Sequence, residues 1–319
     1  MSPNSVGVLL CNIGTPDSPT PAAVKRYLNE FLSDRRVVEI PRFIWWPILH
    51  GVILQSRPKK SAKLYQKIWT EHGSPLLYYS RRLADSLEKA INIPVALGMH
   101  YGQPSIKNAL AELQQKQVTK ILIFPLYPQY SATTTAAAFD RVADTLKTWR
   151  NIPEIRMMHD YADDEYYIKA VSQSIQAARQ QQGRKHLLFS FHGIPKRFVD
   201  AGDPYHERCQ TTAQLIAAEL NLKPEEFFIS FQSRLGRAEW LQPYTDKTLK
   251  KFPEQSMTEV HVVCPGFAVD CLETLEEIAI QGRKQFLEKG GKTFHYISAL
   301  NDSPAHVETL AKIIKKQII

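Results

Sequence analysis

One order of segments occurs twice along this chain, and that repetition limits the folds open to it more than any single motif. Apolar runs of strand length alternate with stretches of helical periodicity, the pattern of a parallel sheet with crossover helices. Leu9-Leu10-Cys11-Asn12-Ile13-Gly14-Thr15-Pro16 is echoed by Leu187-Leu188-Phe189-Ser190-Phe191-His192-Gly193-Ile194-Pro195, each with a glycine turn closed by proline. Residues 95–102 then match 228–236, residues 121–131 match 260–270, and 155–163 match 293–302. The prediction is an α/β protein of two similar Rossmann-like domains, each a four-stranded parallel sheet flanked by helices. The junction is placed near Gly183, giving domains 1–182 and 183–319, with the last helix, about 304–319, packing back on the first half. Ligands of open parallel sheets bind outside the carboxyl ends of the strands. Two halves facing each other would enclose a cleft lined by those turns, where His192, Ser233 and Asp270 are expected to meet. Neither a G-x-G-x-x-G nor a G-x-x-x-x-G-K-[ST] pattern is present, which argues against a dinucleotide or nucleoside triphosphate.

Composition narrows the class. A chain of 319 residues with 44% hydrophobic and 23% charged residues has enough apolar material for two cores. The longest apolar stretch, residues 43–54, is interrupted by His50 and falls short of the ~18 residues a membrane span needs. No export signal is expected at the amino terminus. The cysteines, at 11, 209, 264 and 271, form no C-x-x-C pair and are read as buried, reduced thiols, so an iron–sulfur cluster is not expected. The net charge of +8 is dispersed, apart from groups such as Arg57, Lys59 and Lys60, and no nucleic-acid module accompanies it. A mildly basic solvated surface accounts for that charge better than nucleic-acid binding does, and an acidic small ligand remains open.

The chemistry gathers at strand ends. His192 follows an apolar strand and precedes Gly193, where the backbone turns and a ligand can approach. Alone, such a histidine is more often structural. Its partner segment raises the stakes: a helix opening at Asp270 places Asp270, Glu273 and Glu277 within roughly 60° at about 100° per residue, with Leu272 and Leu275 opposite. Asp270 and Glu273 also have the spacing of a helix cap, the bland reading of the same residues. Carboxylates turned inward at a strand end would instead repel one another, hold protons at raised pKa values and be ready to bind a cation.

The residues that carry a specific resemblance are Phe189-Ser190-Phe191-His192-Gly193-Ile194-Pro195, Gly202-Asp203-Pro204-Tyr205, Phe231-Gln232-Ser233-Arg234-Leu235-Gly236 and the run from Pro265 through Asp270 to Glu277. Asn12-Ile13-Gly14-Thr15-Pro16, Phe31-Leu32-Ser33-Asp34 and Tyr127-Pro128-Gln129-Tyr130-Ser131 extend it into the first half. Over roughly residues 6 to 310 the chain resembles the ferrochelatases in their compact bacterial form, without the cysteine-bearing extension of animal members. The resemblance implies two α/β domains around a porphyrin cleft and a lyase inserting ferrous iron into protoporphyrin IX, the terminal step of haem biosynthesis. Iron is then a substrate and no further cofactor is required. It implies His192, Glu273 and Glu277 as catalytic residues, His192 and Glu273 as metal contacts, and Arg57, Lys60, Tyr65, Tyr101, Tyr130 and Ser233 as substrate-binding residues. Many relatives have arginine at the place of His100, and some bacterial ones a tyrosine near Ile13, so metal entry does not transfer. At residues 43–54 the family has an apolar lip over the porphyrin mouth that can touch a bilayer. A cytoplasmic monomer, peripheral at the inner face of the membrane, is the matching expectation.

Other readings make distinguishable demands. A chelatase for coproporphyrin or another tetrapyrrole, with cobalt or nickel, would need further cationic partners for further propionates. A non-catalytic tetrapyrrole carrier would keep its affinity without Glu273. A Rossmann-type transferase would be expected to show the glycine fingerprints that are missing here.

Overall fold

A computed structural model describes residues 5–236 and 238–318. Among them, strands β1 (Val6–Gly14), β2 (Val95–Tyr101), β3 (Lys120–Pro125) and β4 (Glu154–Met157) form one sheet; β5 (His186–His192), β6 (Phe227–Gln232), β7 (Glu259–Val263) and β8 (Thr293–Ile297) form another. Both sheets are parallel throughout, and their orders, β2-β1-β3-β4 and β6-β5-β7-β8, are one order used twice. The four segment matches read from the sequence are these four strand pairs.

By packing, the chain divides into two units. The first holds the described residues up to Leu126, with Ser131–Asp160 and the end of the chain from Ile314; the second holds Tyr127–Tyr130 and Tyr161–Ile313. The helix Glu165–Gln182 therefore groups with the second unit although it precedes Gly183 in sequence. Its Tyr167 hydroxyl, donating to the Pro265 carbonyl, is one tie that holds it there.

The strands form because their apolar runs are covered on both faces, as parallel sheets require. All seven residues of β2 are buried, as are five of the seven in β5. Helices such as Ile106–Gln115 cover the first sheet, with Ile106, Ala109, Leu110 and Leu113 packed on Leu9, Cys11, Ile121 and Ile123. In the second unit Leu249, Ile278 and Phe286 pack on Leu188, Val260 and Val262. Helix starts carry the expected caps: Thr20, Ser105 and Asp164 each accept a first-turn N–H through the side chain.

Two features of this framework set up the site. First, β5 has β6 on one side and β7 on the other, so the chain leaves β5 and β7 in opposite directions; that reversal opens a crevice at their carboxyl ends. Second, the turns after β1 and β5 run tight against the neighbouring strand. A Cβ on Gly14, whose φ is +100°, would lie 1.8 Å from the Tyr101 carbonyl oxygen, and one on Gly193 would lie 2.8 Å from that of Gln232. Only glycine lets the chain turn so close. After the third strand of each sheet the backbone then winds into a π-helical segment, Ala132–Ala136 in the first unit and Glu273–Gly282 in the second.

Candidate active site

The crevice between β5 and β7 in the second unit collects the histidine and the acids. His192 is the last residue of β5, and its Nδ1 lies 2.6 Å from the Gly193 carbonyl oxygen. A carbonyl can only accept, so Nδ1 carries a proton, and in the neutral ring Nε2 is the nitrogen that holds the lone pair. Phe267 stands beside the ring, 6.4 Å between centroids. The close approach at Gly193 is tied down by its N–H, which donates to the Gln232 carbonyl at 2.7 Å.

Glu277 is held by one residue. The Ser233 backbone N–H donates to its Oε1 at 2.8 Å, and the Ser233 hydroxyl donates to its Oε2. Ser233 adopts a left-handed backbone, φ +64°, which aims both donors at the same carboxylate. That conformation costs roughly 1–2 kcal/mol for a residue with a Cβ. Two hydrogen bonds to a charged group contribute roughly 1.5–3 kcal/mol each, so the bonds win. Burial pushes the Glu277 carboxyl up from the ordinary carboxylate range; the two Ser233 bonds and the nearby His192 pull against it, Glu273 adds to it, and burial prevails. Glu277 is thus electrostatically in touch with both His192 and Glu273. Glu273 begins the π-helical segment, and its backbone carbonyl accepts from Gln232 Nε2 at 2.9 Å.

The helix differs from the sequence-based expectation in period and in starting point. It opens at Leu272 and winds with i→i+5 bonds, so the 100° step does not apply. Asp270 lies outside it. Its carboxylate is buried and accepts from Thr274 Oγ1 at 2.9 Å, Tyr296 Oη at 2.6 Å and Asn301 Nδ2 at 2.8 Å. Asp270 is therefore a structural acid that ties the start of the helix to the end of β8, and the stripe reduces to Glu273 and Glu277. Among the described residues no group of three or more His, Cys, Asp and Glu is arranged to hold a metal ion. The cysteines are buried and free; burial pushes the thiols of Cys209, Cys264 and Cys271 well above their usual range, and Glu273 pushes Cys271 further.

On its outer side Glu277 lines a polar pocket of about 620 Å³, together with Ser233, Arg234, Trp240, Tyr244 and Gln281. Arg234 stacks over the Tyr244 ring, 4.0 Å from its centroid, while its Nη2 pairs with Asp246 at 2.9 Å.

Of the remaining residues singled out in the sequence, Tyr130 groups with the second unit and is half-buried. Arg57, Lys60 and Tyr65 share one helix of the first unit, Leu54–Ile68, with Lys60 exposed, Arg57 half-buried and Tyr65 buried. Burial lowers the Arg57 pKa. Tyr101, at the end of β2, is 1% exposed, and its hydroxyl donates to Asp34 Oδ2 at 3.1 Å under the Arg141 guanidinium. Burial, then Asp34, holds the Tyr101 pKa above the ordinary range. His100 is buried beside it; burial, then the charge of Arg141, drops its pKa to about 3, so this imidazole is neutral. The twin tryptophans divide. Trp45 is buried and donates to the Leu32 carbonyl at 2.7 Å, whereas Phe43 is 81%, Trp46 58% and Val52 62% exposed. No helix among the described residues is long and apolar enough to cross a membrane.

Two solved enzymes of tetrapyrrole synthesis share this fold. The sirohydrochlorin chelatase SirB of Bacillus subtilis subspecies spizizenii, solved in complex with cobalt, superposes with a TM-score of 0.60 over 98% of this chain and 95% of its own, at 11% identity. CbiX, the terminal enzyme of sirohaem biosynthesis in denitrifying bacteria, gives 0.51 over 98% and 99%, at 14% identity. At such identities the likeness defines the fold. Sequence defines the family: the ferrochelatase profile matches residues 5–318. A ferrochelatase of Methylococcus capsulatus is 55% identical over 97% of this chain and 95% of its own length, and one of Nitrosococcus oceani is 51% identical over 98% and 87%. The chain belongs to the ferrochelatase family, and it is an enzyme of that family.

The Ser233–Glu277 pairing generates a pH expectation. Removing the hydroxyl with Ser233→Ala leaves burial less opposed, so Glu277 should hold its proton to higher pH. The acid limb of the pH–turnover profile is expected to move to higher pH than in the wild type. An unmoved limb, or one displaced to lower pH, contradicts the pairing.

Proposed function

We propose that this chain inserts ferrous iron into protoporphyrin IX to give protoheme, the last step of haem biosynthesis, with His192, Glu273 and Glu277 as the reacting groups. The observation that carries the assignment of roles is the free Nε2 of His192 in electrostatic reach of a carboxyl, Glu277, that burial makes prone to keep a proton. Insertion replaces two pyrrole N–H protons by one Fe²⁺, so two protons leave for each iron bound. Nε2 accepts one as a base fixed in a single tautomer, and the Glu273–Glu277 pair accepts and passes protons on towards the polar pocket. His192 and Glu273 also serve as donors for the incoming ion, replacing water it must shed. Arg57 and Lys60 supply cationic heads for the propionates, Tyr130 aromatic surface and Ser233 a further polar contact, while Tyr65 and Tyr101, 8% and 1% exposed, are too buried to face a porphyrin.

The test is anaerobic turnover with ferrous iron and protoporphyrin IX, run beside coproporphyrin. Wild type is expected to complete many cycles on protoporphyrin. His192→Ala and Glu273→Gln are expected to lose roughly a hundredfold or more in kcat while porphyrin binding, followed by fluorescence, persists. Preference for coproporphyrin would move the substrate assignment, stoichiometric binding without turnover would leave a carrier, and active variants would remove the roles.

Phe43, Ile44, Trp46, Ile48 and Val52 form an exposed apolar lip in one stretch of chain, flanked by Arg42, Lys59 and Lys60. An apolar patch rimmed by cations suits the surface of an anionic bilayer, where an apolar porphyrin also resides. Phe43→Ser with Trp46→Ser is expected to weaken co-sedimentation with phosphatidylglycerol vesicles at least about tenfold, since each exposed aromatic brings well over 1.4 kcal/mol of burial. Equal sedimentation of both forms contradicts membrane contact through the lip.

A further inference from the structure

Gln232 is 2% exposed at the end of β6, and its amide reaches the π-helical segment. Nε2 donates to the Glu273 carbonyl at 2.9 Å, and Oε1 accepts from Ser190 Oγ at 2.6 Å and Cys264 Sγ at 3.5 Å. Because a backbone carbonyl only accepts, the amide has one allowed orientation, nitrogen to the helix and oxygen to β5. Thr245 Oγ1 lies 2.9 Å from Ser190 Oγ, and Ser230 Oγ lies 2.8 Å from Thr245 Oγ1. All three hydroxyl residues are buried. Ser190 gives its proton to Gln232 and so must accept from Thr245, which must in turn accept from Ser230. The alternative acceptor for Ser230, the Phe189 carbonyl, is farther away at 3.4 Å. The result is one ordered chain, Ser230 to Thr245 to Ser190 to Gln232 to the Glu273 carbonyl, in which each bond polarises the next.

The chain ends on the first residue of the π-helical segment, four positions before the carboxylate that Ser233 holds. Gln232 and Ser233 therefore fix the two acids from adjacent positions, one through a backbone carbonyl and one through a carboxylate. We propose that Gln232 is a positioning residue for Glu273: its amide, locked by the buried hydroxyls, sets where the helix begins and so where the Glu273 carboxylate stands. The inference rests on the role given to Glu273 above. A reacting group displaced by about 1 Å costs on the order of 10²-fold in rate, so the effect should fall on turnover and leave substrate affinity alone.

Two variants separate positioning from packing. Gln232→Met keeps the length of the side chain and removes both polar ends. Gln232→Glu keeps the acceptor for Ser190 and can donate to the Glu273 carbonyl only when protonated. Anaerobic turnover across pH, porphyrin binding and thermal midpoint are measured for both beside the wild type. Gln232→Met is expected to lose roughly 10- to 100-fold in kcat with an unchanged KM for porphyrin. Gln232→Glu is expected to recover towards wild type as the pH is lowered, where Gln232→Met does not. The proposal is overturned if Gln232→Met stays within twofold of wild-type kcat, or if the two variants keep a constant ratio at every pH. Glu273→Gln in the same assay reports separately on the underlying role: full activity there removes that role whatever the Gln232 variants do.

Discussion

A carboxylate taken out of water has to be met by donors, and for Glu277 both donors named come from Ser233. That pairing is the constraint on which the rest of the site depends. It demands a left-handed residue at the end of β6, which the two bonds more than offset. It demands that β6 end level with the helix that follows β7, which the β6-β5-β7 order provides. It also sets the electrostatics, since the same bonds oppose burial in deciding whether Glu277 holds a proton. His192 enters the balance from β5, so the ends of β5 and β6 and the helix after β7 meet electrostatically at one carboxyl.

The two sheets show how much of this is framework and how much is chemistry. Both have one strand order, a glycine turn pressed against the neighbouring strand, and a π-helical segment after the third strand. In the first unit that segment is Ala132–Ala136, begun by Ser131, whose side chain accepts from the Thr133 N–H. In the second it carries Glu273 and Glu277. A repeated backbone thus holds acids at one of its two equivalent places. The first unit carries the cations of Leu54–Ile68 and a neutral, buried His100 beside Tyr101.

Much of the fold was legible because burial writes it into the sequence. The strands of parallel sheets are buried on both faces, so β1, β3, β5 and β7 read as apolar runs, and the repeat showed in their order. His192 and Glu273 were singled out by position and by resemblance, and the structure places them at the end of β5 and at the start of the π-helical segment. Asp270 was misjudged because a 100° step was assumed where the backbone is π-helical, and no propensity in Glu273–Gly282 announces that winding. Gln232 was passed over because an amide among Phe227, Phe228, Ile229 and Phe231 reads as an ordinary strand residue. A polar side chain at the inner end of an apolar strand was its available signal. Its partners, Ser190, Cys264 and the Glu273 carbonyl, lie 42, 32 and 41 positions away, beyond any local pattern. The burial of Trp45, with its bond to the Leu32 carbonyl, beside an exposed Trp46 is equally invisible in sequence.

The claim that the end of β6 fixes the start of the π-helical segment can be tested without any substrate. Amide hydrogen exchange, followed by mass spectrometry, compares wild type with Glu277→Ala in peptides covering 272–282, 232–236 and the strands β5 and β7. Losing the carboxylate frees the Ser233 N–H and hydroxyl and leaves the Gln232 amide as the remaining named tie between β6 and the helix. The account expects faster exchange in 272–282 and 232–236, with β5 and β7 as protected as before. Unchanged exchange in 272–282 would contradict it, for the segment would then keep its place without the bond on which the site is built.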